Sequence, residues 1–283
     1  MAFPSLQAFR PKLRAALGLA LLAATLAGCQ SRDPSTTGSI SFGAPSGSEA
    51  DLRRMAEEMG PRVQANPGNP QAALDYARVL RALGRTSEAV AVLQQAALRN
   101  PNHLELLAAY GKVLADTGRY REAATVLANA HRPERPDWRI LSTQGVVADQ
   151  LGDFEGAQRF YSAALKIVPG EPSVLANQGL SFALAKRLDE AERILTIAAQ
   201  HPRADARVRR NLALVLGLRG RLPEAEAMLR RDLPPQQAEE AMAGIRGMVR
   251  QNNSWGAIKQ ADRAHPAAGK PDARRPATRS AGL

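Results

Sequence analysis

The sequence predicts an all-α solenoid, a row of stacked antiparallel helix pairs. Three observations carry that reading. The chain of 283 residues is 45% hydrophobic yet only 4% aromatic. Its apolar content is rich in alanine and leucine, the strongest helix formers, and poor in the aromatic residues that strands favour. Small residues recur at a fixed interval of 34 through the middle of the chain. Glycine and proline fall at set points of that interval, where helices stop.

Five registers share the interval. Ala89, Ala123, Ala157, Ala191 and Ala225 form one. Ala77, Gly111, Gly145, Gly179 and Ala213 form a second. Gly84, Gly118, Gly152 and Gly220 form a third, with Lys186 in the missing step. Ala96, Ala130, Ala164 and Ala198 form a fourth, broken by Asp232. Leu93, Leu127, Tyr161, Leu195 and Leu229 form the fifth. The second and first registers mark where paired helices approach most closely, since a larger side chain there would force voids elsewhere. The third marks the end of each first helix, where glycine takes the left-handed conformation, and Lys186 is expected to pay about 1 kcal/mol to do the same. Pro67, Pro101 and Pro169 mark the ends of second helices.

This spacing resembles the tetratricopeptide repeat. The expected repeats run about 70–103, 104–137, 138–171, 172–205 and 206–235. Residues 49–66 read as an N-terminal capping helix and 236–250 as its C-terminal counterpart, because an open solenoid end exposes apolar surface. The fifth repeat is the least regular, with Arg209 where an apolar residue is usual and Asp232 in an alanine slot. Residues 251–283, dominated by Pro, Ala and Arg without period, read as a basic disordered tail.

The N-terminus reads as an export signal. Arg10, Lys12 and Arg14 precede an apolar run from Ala15 to Ala27, too short for a comfortable transmembrane span. The run ends in Leu26-Ala27-Gly28-Cys29, which resembles a bacterial lipobox. The resemblance implies cleavage after residue 28 and lipidation of Cys29, the chain's single cysteine. Several acyl chains anchor far more firmly than one. Residues 29–48, rich in Ser, Thr, Gly and Pro, read as a lipidated flexible tether with a reach of about 24 Å. Gln30, not Asp, follows the cysteine, and by resemblance to enteric lipoproteins that favours the outer membrane.

A net charge of +11 raises the question of nucleic acid. Most of it lies at the two ends of the chain, however, and no aromatics interleave with the basic residues to stack on bases. No nucleic-acid partner is therefore expected. One cysteine excludes an intrachain disulfide and a cysteine zinc cluster. His103, His131, His201 and His265 are dispersed, and His103 and His201 read as solvated linker residues. Adjacent acids such as Glu57-Glu58 and Glu239-Glu240 cannot face one another on a helix. There is no nucleophile elbow, phosphate loop, zinc-protease or dinucleotide motif. The expectation is a non-enzymatic protein without cofactor, metal or small-molecule substrate.

Tetratricopeptide arrays line a concave groove with the first helix of each pair. Carried onto this sequence, the resemblance puts Gln71, Leu74 and Arg78 of repeat one along the groove, with Glu105 and Lys112 of repeat two. Arg139 and Ser142 follow from repeat three, Asn177 from repeat four, and Arg207, Arg210 and Asn211 from repeat five. Arg78 and Lys112 are suited to a carboxylate. The equivalent amides of Asn177 and Asn211 can both donate to and accept from a peptide backbone. Leu180, Ala183, Leu184, Leu214 and Leu218 read either as an apolar groove floor or as packing between repeats.

The order of lipobox, tether and five repeats, followed by Arg231-Asp232-Leu233-Pro234-Pro235 and Asn252-Asn253-Ser254-Trp255, resembles the TadD family. These are tetratricopeptide lipoproteins of the tight-adherence (Flp pilus) secretion system. The likeness covers about 29–255, and the segment from Asp205 through Pro235 is its most telling part. It implies an outer-membrane-tethered, periplasm-facing assembly factor that captures an extended segment of a client such as the secretin. The alternatives are a generic periplasmic scaffold, for cell-wall synthesis or outer-membrane protein insertion, and an enzyme with a site assembled from separate repeats.

Overall fold

A computed structural model describes residues 47–264, with side chains as far as Gln251. The expected signal peptide, Cys29 and nearly all of the tether lie outside the described residues, as does the tail from 265. The described chain folds into twelve helices. After α1 (Glu49–Ala65) come five pairs: α2 (Pro70–Ala82) with α3 (Thr86–Arg99), α4 (Leu104–Asp116) with α5 (Tyr120–Ala128), and α6 (Trp138–Gln150) with α7 (Phe154–Ile167). Then follow α8 (Pro172–Leu184) with α9 (Leu188–Gln200), α10 (Ala206–Leu218) with α11 (Leu222–Asp232), and a final α12 (Pro235–Ala264).

Local chemistry explains the helix starts. α1 opens on a capping box, Ser48 accepting from the Asp51 N–H while Asp51 answers the Ser48 N–H. Asn69, Asp137 and Asp205 cap first helices in the same sense. His103 does so too, its Nδ1 accepting from the Leu106 N–H at 3.2 Å, and His201 accepts from the Arg203 N–H at 3.1 Å. His103 is therefore a structural cap, which corrects the expectation of a solvated linker there, whereas the exposed His201 bond lies within the linker between α9 and α10. Second helices start differently. Four begin with an arginine paired to a glutamate three residues on: Arg85 with Glu88, Arg119 with Glu122, Arg187 with Glu190 and Arg221 with Glu224. In α7 Asp153 takes this place and accepts from the Gly156 N–H at 2.8 Å.

The period of 34 has the expected packing basis. A Cβ on Gly111, Gly145 or Gly179 would lie 2.5 Å from Leu127, Tyr161 or Leu195, the side chain filling the groove of the paired helix. Gly84, Gly118, Gly152 and Gly220 all have φ between 75° and 84°, and Lys186 takes φ 62° as its register requires.

Stacking gives the row its curvature. First helices lie against the next first helix along the whole series, α2 to α4 to α6 to α8 to α10. The backbones of second helices among the described residues do not approach one another, although Arg221 at the start of α11 pairs with Glu192 of α9. The first helices therefore form the inner wall and the second helices splay outside. α1 closes one end by packing Leu52 and Ala56 against Val79 of α2. α12 closes the other, packing Ala238, Met242 and Ile245 into the core of repeats four and five. α12 runs on to Ala264, past the boundary expected at 250. The sequence is consistent with this: residues 251–264 contain no proline, and the next proline is Pro266.

Candidate protein-binding groove

The inner wall is built from the expected helices, but its residues are employed unevenly. Leu74 and Ser142 are fully buried, and Asn177 is 6% exposed. Asn177 donates to the Ser142 hydroxyl at 3.2 Å, so it joins repeats three and four and does not offer a free amide to a ligand. Lys112 is 2% exposed. Burial pushes its pKa down, opposed by Asp116, whose carboxylate lies 3.6 Å away and also takes Arg81 at 2.7 Å. Arg207 of α10 adds a small downward push on Lys112. How closely neighbouring first helices pack is not encoded in the 34-residue period, and Lys112 and Asn177 are found buried.

The remaining expected residues stay accessible. Gln71 is exposed and donates to Asp75 at 3.1 Å. Arg78 holds Asp75 and reaches Glu105 at 3.5 Å. Arg207, Arg210 and Asn211 are half-buried on α10. Ala183 and Leu214 pack partly against the core, whereas Leu184 is 50% exposed.

Between repeats three and four lies a buried polar cluster. Asp149 accepts from the Tyr161 hydroxyl at 2.8 Å and from Ser181 at 2.6 Å, and Gln158 donates to Ser181 at 2.8 Å. Burial pushes the Asp149 carboxyl up to about 6, against the two hydroxyl hydrogen bonds that lower it. Burial and the Asp149 charge together raise the Tyr161 hydroxyl. The signal for this cluster was present in the sequence. Tyrosine in a leucine register carries a hydroxyl that needs a buried partner.

In repeat five the two irregular residues answer one another. Arg209 grips Asp232 with two hydrogen bonds of 2.7 Å and donates to the Ala204 carbonyl at 3.0 Å. This is a bidentate pair in a part-buried site, and it holds the Asp232 carboxyl below its ordinary value.

A pocket of about 530 Å³ opens where α4 and α6 begin. It exists because α5 stops at Ala128, whereas α3 and α7 run a turn further in their own repeats. Pro133 and Pro136 end the helix early, and the loop folds back through a bridge between Arg132 and Arg135. Arg135, Trp138 and Arg139 line the opening, with Ala108, Ala130 and Ile140 beneath. The Arg139 guanidinium stacks 4.4 Å from the Trp138 ring. His131 also lines it, and its Nδ1 is buried without a hydrogen-bond partner. Arg139 was expected in the groove; Arg135, His131 and Trp138 were not, although two prolines inside one repeat end were the visible sign of a rebuilt loop.

Among the described residues no group of histidine, cysteine, aspartate and glutamate is arranged to hold a metal, and no helix is long and apolar enough to cross a membrane.

The chain is a tetratricopeptide-repeat protein. Family models described as tetratricopeptide repeat match residues 56–113 and 80–145, 142–204 and 206–231. A comparison with curated proteins finds no match. Among solved structures, PilW, a widely conserved type IV pilus biogenesis factor, superposes with a TM-score of 0.58 at 21% identity. That match covers 67% of this chain and 89% of PilW. The Pseudomonas aeruginosa pilF protein gives 0.51 at 19% identity, covering 64% and 84%. A tetratricopeptide protein from Parabacteroides merdae gives 0.59 at 16%, covering 73% and 82%. At these identities the likeness is one of fold.

Proposed function

We propose that this chain is a lipid-anchored envelope scaffold that captures an extended segment of a client protein, serving the assembly of a Flp-type (tight adherence) pilus secretion machine. The observation that carries the scaffold reading is the inner wall of contacting first helices, on which Arg139 is exposed and Arg207, Arg210 and Asn211 are half-buried. The lipobox ending in Cys29 supports an anchor, and Gln30 supports the outer membrane. The likeness of Asp205 through Pro235 to the TadD family supports the pilus machine, as does a fold shared with a type IV pilus biogenesis factor. The anchor holds the protein at one membrane, the tether gives it range, and the groove meets its client at high local concentration.

Affinity capture from detergent-solubilised envelopes tests this reading. The protein is expected to enrich a secretin or another pilus component, and Arg207→Ala/Arg210→Ala/Asn211→Ala to lose it. Enrichment of cell-wall synthesis or outer-membrane insertion proteins instead would move the assignment to a generic periplasmic scaffold. Capture that the triple variant leaves unchanged would remove the groove. Cys29→Ala is expected to release the protein from the membrane fraction, and retention would refute the anchor.

A further inference from the structure

We propose that the pocket at the start of α4 and α6 receives an acidic, partly apolar peptide segment of a protein client, with Arg135 and Arg139 reading its carboxylates. The inference rests on the scaffold reading and deepens it by naming the chemistry of the ligand. The cavity, about 530 Å³, falls in the size range of sites that enclose a few side chains.

Its charges divide into committed and uncommitted groups. Arg78 is held by Asp75 and Glu105. Asp137 accepts from the Arg139 N–H at 2.7 Å as the cap of α6. Arg135 and Arg139 have no carboxylate partner among the described residues. Stacking on Trp138 fixes the Arg139 guanidinium plane while leaving the N–H groups at its edge free for a two-point bond to a carboxylate. Both α4 and α6 open their first turns on the cavity, which adds the positive end of two helix dipoles.

A further feature specifies a peptide. Ala108, Ala130 and Ile140 offer apolar surface beneath the arginines, which suits an aliphatic side chain beside an acidic one. A lipid headgroup layer or a nucleic-acid backbone fits less well. It needs an open run of cations, and here Glu105 and Asp137 share the lining.

The test uses the full chain carrying Trp255→Phe, which leaves Trp138 as the sole tryptophan. The probe is a dye-labelled, end-blocked octapeptide of alternating Glu and Leu, with Gln and Lys counterparts, read by anisotropy and by Trp138 emission. The Glu peptide is expected to bind saturably and shift the emission, and the Gln and Lys peptides to bind at least ~10-fold more weakly. Arg135→Gln/Arg139→Gln is expected to weaken the Glu peptide by at least ~10-fold with unchanged helicity, and Arg139→Lys by less, because it keeps the charge and loses the fork. Arg187→Gln, at the remote Phe182 stack, should leave binding as it is. No saturable binding, equal binding of the Gln peptide, or indifference to the double substitution overturns the proposal. So does stronger occupancy by heparin or by phosphatidylglycerol vesicles, which would make the pocket a polyanion site. If client capture by the Arg207, Arg210 and Asn211 face survives that failure, the scaffold reading stands without the pocket; if both fail, both fall.

Discussion

The seam between α6 and α8 and the pocket between the starts of α4 and α6 both depart from the repeat, yet in opposite ways. In the seam, polar residues sit where apolar ones are usual, and Ser142 pairs with Asn177 and Asp149 with Tyr161 and Ser181, while the Oε1 of Gln144 on α6 is buried without a partner. In the pocket the departure comes from two prolines, and it leaves Arg135, Arg139 and the His131 Nδ1 without protein partners among the described residues. Departures answered internally belong to stability, and exposed cations left unanswered, such as Arg135 and Arg139, point to a ligand. Repeat five falls with the seam, because Arg209 and Asp232 satisfy each other.

This division sets out what each substitution should do. Tyr161→Ala should have the largest effect. It empties a fully buried site and removes a donor to Asp149, so a loss of about 3–5 kcal/mol is expected by urea denaturation. A loss below about 1 kcal/mol would mean the seam is not well packed.

Next comes the pH dependence of the seam. Asp149 titrates at about 6 when folded, above its ordinary 3.8, so the folded state binds this proton more tightly than the unfolded chain does. Stability from this group is therefore gained as pH falls from 7 through 6 toward 3.8, and lost on the way back up, by roughly 2 kcal/mol over the window. Asp149→Asn should flatten this component, seen as urea midpoints at pH 7.5 and pH 5 that differ less than in the parent. An unchanged pH response would assign it to other groups.

The pair in repeat five should cost less, because it is only part-buried. Arg209→Ala and Asp232→Ala each strand a charge, at about 1–2 kcal/mol by thermal melting. Arg209→Leu/Asp232→Ala, which restores the apolar residue and the alanine of the register, should recover most of the loss. Additive losses in the double variant would show that the two residues are not coupled. Smallest is Lys186→Gly, which relieves a left-handed residue at φ 62° and should stabilise by up to about 1 kcal/mol.

The sequence carried much of the fold, because close approach of paired helices demands small residues at a fixed interval. Gly145 meeting Tyr161, and Lys186 at positive φ, are direct consequences of that interval. It carried less of the site. A period states which face a residue occupies and not how closely neighbouring first helices pack, so Lys112 and Asn177 were expected in the groove and are found buried. Arg209 and Asp232 were each visible as irregular, but their pairing depends on two registers facing one another across a helix pair. The pocket was hidden for a third reason. It is made by a helix ending early, and Pro133 and Pro136 mark the end without specifying the path of the loop that follows.

The concave wall as the client-binding face can be tested directly by site-specific photocrosslinking in cells that assemble the machine. A photoreactive residue replaces Gln71 or Glu105 on the first helices, or Leu98 or Ile197, which are exposed on α3 and α9. A discrete adduct with one client from the Gln71 and Glu105 positions, and none from Leu98 and Ile197, is the expected result. Adducts confined to Leu98 and Ile197 would place the client on the outer face and contradict the groove.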